Sequence, residues 1–478
     1  MQIGAFNLLE WLPNLFSMMP MSTVTNISST EKRAIASLAS LYALRMLGLF
    51  MVLPVMAIAG AGFEGATPEL IGLAIGAYGL SQALLQIPAG ALSDYFGRKP
   101  IIVIGLLIFA LGSFVAANAD TIYGIIFGRF LQGCGAIASA VMALVSDLTR
   151  EEHRMKAMAS IGASIGLSFS VALVLGPVLV SFGGLQLIFI VTGILSLAGI
   201  ALMLTAVPTP ARKKHRDGSA IISEVFKQLG NGQLWPLNIG IFILHALMVA
   251  MFVSIPQQLV QAGLTLDQHA WLYLPVLLIA FVLMVPFVII AEKKRQMKGI
   301  VIAALGIMIL ALILMSQAAG VWPWAIALGV FFWAFNIMEA TLPSWLSKVA
   351  PAGAKGSAMG IYSTLQFLGA FAGGIIGGWL NNHFGIEGLF LILASAVFGW
   401  ALLVIVTPKP AHLNSVRVDI LNQGHSDVQH SLYLDALINL RGVADAILIA
   451  EEHAIYLKVD ASVFDYQQAM AAVNSLGE

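Results

Sequence analysis

The sequence predicts an all-α membrane protein with twelve transmembrane helices in two six-helix bundles, followed by a small cytoplasmic α+β domain. Three observations predict this. The 478 residues are 59% hydrophobic and 10% charged, with a mean hydropathy of +0.91, so most of the folded surface cannot face water. Twelve stretches have the roughly 20 apolar residues that a helix needs to cross a ~30 Å hydrocarbon core with its backbone groups satisfied internally. Of the connections between those stretches, only alternate ones carry lysine or arginine.

In chain order, residues 1–33 form an N-terminal segment. Its first twenty residues lack a basic start and contain Glu10 and Pro13, which argues against a cleaved signal peptide and leaves Met21 as an alternative start. Six spans follow in a bundle over 34–207, near 34–60, 69–91, 101–117, 121–146, 157–181 and 184–207. A linker over 208–235 carries the basic run ARKKHRDG, Ala211 to Gly218. Six more spans form a second bundle over 236–408, near 236–260, 269–291, 299–318, 322–347, 357–380 and 386–407. Connections 61–68, 118–120, 182–183, 261–268, 319–321 and 381–385 contain no Lys or Arg. The bases of the loops from Lys32 to Lys409 fall on the other side, which under the positive-inside rule places both termini in the cytoplasm.

The halves echo one another. Pro88 precedes Asp94 by six residues, Pro286 precedes Glu292 by six, and the offset is 198. KAMASIG at Lys156 to Gly162 echoes GSAMGIY at Gly356 to Tyr362, and Gly176 aligns with Gly377. Two parallel repeats are an organisation of secondary transporters that rock one half against the other.

Between spans 2 and 3 stands GALSDYFGRKP, Gly90 to Pro100, with an acid, two bases and two glycines between greasy flanks. Asp94 and Arg98 are four residues apart, on one face if the helix continues, and glycine permits a sharp turn. Gly90, Leu92, Asp94, Gly97, Arg98 and Lys99 resemble the loop signature of the major facilitator superfamily. RMLGLFMVLP (Arg45 to Pro54), GRFLQGCGAIASAVMALVSDLTRE (Gly128 to Glu151) and the tail resemble the YajR-type bacterial transporters, grouped with drug/proton antiporters. The resemblance implies a conformational latch. Asp94 would face the N-terminus of span 11 near Ser357, where a helix dipole favours an anion, and Arg98 would pair with Asp147 at the end of span 4. A purely topogenic role for Arg98 and Lys99 is the simpler alternative.

Ionisable groups deep in the spans are few, and each costs about 2.5–3.5 kcal/mol on insertion scales. Arg45 lies near the middle of span 1, Arg129 on span 4, His245 on span 7 with Asn238 for company, and Glu339 on span 10. Glu339 is the foremost proton-carrier candidate, because a carboxylate that moves between apolar and cationic surroundings can load and release a proton; a permanently paired structural acid is the alternative. Histidine titrates near neutrality, yet a lone helical histidine also serves packing. Arg129 can relay or tie helices, and Arg45 can meet an anionic substrate group or neutralise Glu339. On span 5, Gly176 and Pro177 match the Gly-Pro of the antiporters' glycine-rich helix, while Ala163, Ala172, Val180 and Ser181 depart from it. Small residues there still permit close packing.

Residues 412–478 change character. Alternation in SVRVDI, a helical stretch from Asp427 to Leu440, the run AILIA, the strand-like AIYLKVD and a last helix from Phe464 read as β-α-β-β-α. This resembles a ferredoxin-like domain lacking or shortening its last strand. No cysteine follows Cys134, the single cysteine of the chain, which removes internal disulfides and a Cys-x-x-Cys metal loop. No cofactor or metal is expected.

The expected function is proton-coupled antiport of small organic or amphipathic compounds by alternating access, carried out by a monomer whose partners are a small-molecule substrate, the proton and the lipid bilayer, with no nucleic acid. An importer or facilitator of a polar metabolite and a transporter-like receptor signalling through its tail are the alternatives. Neither Walker-type nor catalytic-triad arrangements are evident, so no enzyme activity is expected.

Overall fold

The computed structural model describes residues 27–209, 225, 227–351, 354–409, 413–419, 427–449, 454–460 and 463–477. Met21 and the basic run Ala211 to Gly218 lie outside the described residues. Among the described residues ten helices are long and apolar enough to cross a membrane, and two of these run for 50 and 51 residues. The long ones turn back at Gly183–Gly184 and at Gly385, where the backbone leaves helical geometry and Gly184 and Gly385 both take φ of 65°. A side chain is strained at that φ, so glycine is what allows one continuous helix to become two spans. The chain therefore crosses twelve times.

Span 1 is Ser29–Phe50 extended by Leu53–Ala59, span 2 Pro68–Phe96, span 3 Arg98–Ala117, and spans 5 and 6 share Glu151–Thr205. Span 7 is Trp235–Gln261, span 8 His269–Lys293, span 9 Met297–Ser316, span 10 Val321–Val349, and spans 11 and 12 share Lys355–Val406. Local chemistry sets the starts. Ser28 and Glu31 make a reciprocal capping box ahead of span 1, and Thr67 accepts from Leu70 N ahead of Pro68, whose missing N–H costs nothing at a first helical position. Span 4 is broken: Ile122–Cys134 ends at Gly135 and Ala138–Leu148 resumes after Ile137.

Packing divides the molecule unevenly. One apolar core joins the second half to the ends of spans 1–6 that adjoin the base-free connections, including Val52, Ile75, Ile122, Leu173 and Phe189. A separate core, with Leu41, Ile102, Leu144 and Met203, fills the first half toward the basic connections. The halves are thus fused at the base-free end and independent at the basic end.

The tail folds around its own core of Val418, Tyr433, Leu437, Ile455, Leu457, Val459, Ala469 and Val473. Strands β1 (Asn414–Asp419), β2 (Val443–Ile449) and β3 (Ala454–Val459) form an antiparallel sheet in the order β1-β3-β2, with helices Asp427–Ile438 and Tyr466–Gly477. Among the described residues this is the expected β-α-β-β-α order of a ferredoxin-like domain, with three strands.

Candidate functional site

The seam between the halves is built on glycine. Spans 2 and 11 run antiparallel along the base-free end so closely that a Cβ on Gly72 would stand 2.1 Å from the carbonyl oxygen of Gly374. Cβ atoms on Gly76, Gly79 and Gly378 would stand 2.7, 2.5 and 2.7 Å from the carbonyl oxygens of Phe371, Phe367 and Pro68. Asn382 donates to Glu69 Oε1 at 2.7 Å and Gln257 to the Ala57 carbonyl at 3.0 Å, both across the halves. Past Gly79 the spans diverge: Gly356 and Gly360 face open space, and Leu84, Leu92 and Tyr95 are exposed. This conformation is closed at the base-free end and open at the basic end.

Where the halves part, Tyr78 meets Phe367 with ring centroids 6.2 Å apart and Phe169 meets Phe332 at 6.0 Å. On either side of this aromatic layer lie the ionisable residues expected from the sequence, sorted by half. Arg45 is fully buried and donates through Nη2 to Tyr78 Oη and Gln82 Oε1, both at 2.9 Å, and to the Gly135 carbonyl at 3.1 Å. That carbonyl is free because span 4 breaks there, and a cation at a helix C-terminus is favourable. Arg45 Nε and Nη1 have no hydrogen-bond acceptor. Arg129 stacks on the other side of Tyr78, 5.3 Å from the ring centroid, and donates to Gln132 Oε1 at 2.9 Å and to the carbonyls of Ala74 and Ile75. Arg45 and Arg129 thus share one tyrosine and rest on neutral acceptors.

The second half holds the acid. Glu339 Oε1 accepts from Gln366 Nε2 at 3.3 Å, and its Oε2 lies 3.9 Å from His245 Nε2. Gln366 Nε2 also donates to His245 Nε2 at 2.8 Å, while His245 Nδ1 sits 3.3 Å from the Ile241 carbonyl. The consistent assignment is a neutral imidazole that donates from Nδ1 and accepts at Nε2. The Glu339 side chain is 41% exposed, whereas His245 is buried. The Arg45–Glu339 pairing that the sequence allowed is not made in this conformation: Arg45 is held by Tyr78, Gln82 and Gly135, and Glu339 by Gln366, with its Oε2 left without a hydrogen-bond donor.

At the basic end Arg98 pairs with Asp94 and, at 3.3 Å, with Asp147, and donates to Ser93 Oγ at 2.7 Å. Gly97 takes φ of 98°, which lets span 3 begin directly after span 2. Lys99 donates to the Val207 carbonyl at 2.6 Å, capping span 6. A Cβ on Gly90 would meet Ser139 at 3.1 Å, and one on Gly176 would stand 2.4 Å from the Met51 carbonyl, so Gly176 belongs to the packing of span 5 on span 1, with Pro177 next to it inside the helix. With the basic end open, Asp94 is engaged by Arg98 of its own half.

Tyr78, Gln82 and Gln366 were not singled out from the sequence, because uncharged polar residues at membrane depth stand out less than charged ones. The glycine seam had a readable signal: Gly72-x-x-x-Gly76 on span 2 and Gly374-x-x-x-Gly378 on span 11 are small-residue repeats of the kind that bring helices together.

Comparison with known proteins agrees with this architecture. The Major Facilitator Superfamily profile matches residues 38–374 and 298–423. The chain belongs to the major facilitator superfamily. It is a multi-pass inner-membrane transporter, not an enzyme. It is 44% identical over 445 residues to the inner membrane transport protein YajR of Escherichia coli (strain K12), covering 92% of this chain and 97% of that one. It is 25% identical over 351 residues to the multidrug resistance protein MdtH of Aeromonas salmonicida (strain A449), 72% of this chain and 86% of that one. Its fold is shared with a bacterial homolog of the human lysosomal transporter Spinster at a TM-score of 0.66 and 14% identity, over 80% of this chain and 98% of that one.

Proposed function

We propose that this protein is a proton-coupled antiporter that exports small organic or amphipathic compounds by alternating access, with its basic end and both termini in the cytoplasm. The observation that carries the proposal is Glu339, an acid deep in a span that is half exposed where the halves part and bound only through Gln366 and the neighbourhood of His245. A proton arriving at His245 Nε2 turns that atom from acceptor to donor. It then repels the Gln366 N–H and faces Glu339 Oε2, so protonation and side-chain arrangement change together. The aromatic layer of Phe169, Phe332, Phe367 and Tyr78 next to this acid suits a substrate with an apolar body. The name of the similar MdtH protein, a multidrug resistance protein, points the same way.

Conformational bias comes from the turn at Gly90, Asp94, Gly97, Arg98 and Lys99 with Asp147. In the conformation seen here Arg98 holds Asp94; when the cytoplasmic mouth closes, Asp94 reaches the N-terminus of span 11 near Ser357, whose dipole favours it. Proteoliposomes of the monomeric protein with an imposed pH gradient test the proposal. Substrate-dependent proton movement is expected, and Glu339→Gln should abolish it while leaving the protein folded. Substrate binding without flux, or full coupling in that variant, rejects it.

A further inference from the structure

The turn after span 8 repeats the latch turn after span 2 with its partners changed. At the offset of 198, Glu292 stands for Asp94 and Arg295 for Gly97. Gly97 has φ of 98°, and Arg295 has φ of 55°, the positive value of a non-glycine residue among the described residues. In the first half the turn is tied to span 4 by Arg98, which bridges Asp94 and Asp147. In the second half Glu292 accepts from Ser344 and pairs with Lys348, both on span 10. Arg295 has no span carboxylate corresponding to Asp147; its ion-pair partner, at 3.7 Å, is Asp460 of the tail.

A second tail residue reaches the same place. Lys458 on β3 is 3% exposed and donates to the carbonyls of Ser347 and Lys348 at 2.8 and 3.4 Å. These are free carbonyls of the last turn of span 10, where a helix dipole favours a cation. The comparable ends elsewhere are capped within their own half: span 6 by Arg33 and Lys99, span 12 by Lys298. Strand periodicity explains how the tail presents these groups. Ile455, Leu457 and Val459 face the tail's helices, so Tyr456 and Lys458 face the opposite side of the sheet.

We infer that the open face of the tail sheet is a docking surface for the second half, and that Asp460 and Lys458 brace the span 8–9 turn and the end of span 10 in place of the partners the first half carries internally. Ser347 lies eight residues, about 12 Å of helical rise, from Glu339, so the brace steadies the span that carries that acid. This last consequence rests on the proposed role of Glu339; the docking itself does not.

Hydrogen exchange on the full-length protein in nanodiscs tests the docking. Lys458→Met should speed exchange about tenfold in 342–351, as expected for losing hydrogen bonds to a charged group, and Lys458→Arg should restore most protection. Asp460→Asn should speed exchange in 290–300, and Arg295→Asp combined with Asp460→Arg should recover it. Unchanged exchange in both segments in Lys458→Met and Asp460→Asn overturns the inference, whether or not the tail's own peptides over 427–438 and 466–477 stay protected. If exchange rises as expected while proton coupling is normal in Lys458→Met and lost in Glu339→Gln, docking stands and its link to Glu339 is overturned. If coupling is also normal in Glu339→Gln, the proposed carrier fails and takes that link with it.

Discussion

A single methyl group at Gly72 should open the base-free end. The Cβ of Gly72→Ala would lie 2.1 Å from the Gly374 carbonyl oxygen, and the reciprocal Cβ on Gly374 would lie 2.3 Å from the Gly72 oxygen. Real Cβ atoms essentially never come within 3.0 Å of such a neighbour, and both partners here are helical backbone with no rotamer to turn. Spans 2 and 11 must therefore separate by nearly 1 Å along a seam that includes Gly76, Gly79 and Gly378. Overpacking of this kind costs about 1–3 kcal/mol, and it is charged only to the conformation in which the seam is closed. The ratio of the two conformations should then shift by roughly 5- to 150-fold toward the one open at the base-free end. The measurement is a distance distribution between spin labels on Asn118 and Gln317, next to two base-free connections, in a Cys134→Ser background. Gly72→Ala should move population to longer distances and Gly72→Leu should move more, while Gly306→Ala, whose Cβ meets nothing within 4 Å, should be silent. Identical distributions for Gly72→Leu and the parent would refute the gate.

Other variants probe the remaining parts. Asp94→Asn should leave the Arg98–Asp147 pair intact yet weaken closure of the basic end, raising cysteine labelling from that side; unchanged labelling would mean the turn is only topogenic. Arg45→Met should lower thermal stability, because the Gly135 carbonyl and Gln82 lose their donor in a buried site. Each stranded group is worth about 1–3 kcal/mol, and an unchanged melting temperature would show that Arg45 is not the pin of the span 4 break. Gln366→Leu should disconnect His245 from Glu339 and shift the pH profile of transport without abolishing substrate binding; an unaltered profile would remove Gln366 from the coupling route.

The spans were legible because bilayer thickness acts on single segments, with no need to know what packs against what. The tail's strand-helix order was legible for the same reason, from local alternation. What the sequence left open were the pairings. Nothing in the order of residues states that Arg45 and Arg129 converge on Tyr78, since three different spans meet there. The break in span 4 was also hidden, because Gly133 and Gly135 are compatible with an unbroken helix in a glycine-rich chain. Arg45 and Glu339 are the natural pair on paper, being opposite charges at similar depth. The fold separates them because Arg45 already has the Gly135 carbonyl and two neutral side chains to satisfy it within its own half.

That separation bears on the proposed coupling. An arginine keeps its proton in a protein, so the first half, with Arg45 and Arg129 at depth on neutral acceptors, carries a fixed positive charge through the transport cycle. Among the described residues the groups at that depth able to change charge are Glu339 and His245, both in the second half. A protonated Glu339 therefore leaves the region between the halves net positive, and a deprotonated one brings it closer to neutrality. If Glu339 is the proposed carrier, a positively charged substrate group is less disfavoured when the acid has lost its proton than when it has regained it, so such a group and the proton compete for one carboxylate. Under the proposed carrier role, competition of that kind yields exchange rather than co-transport, and it requires no contact between substrate and the arginines.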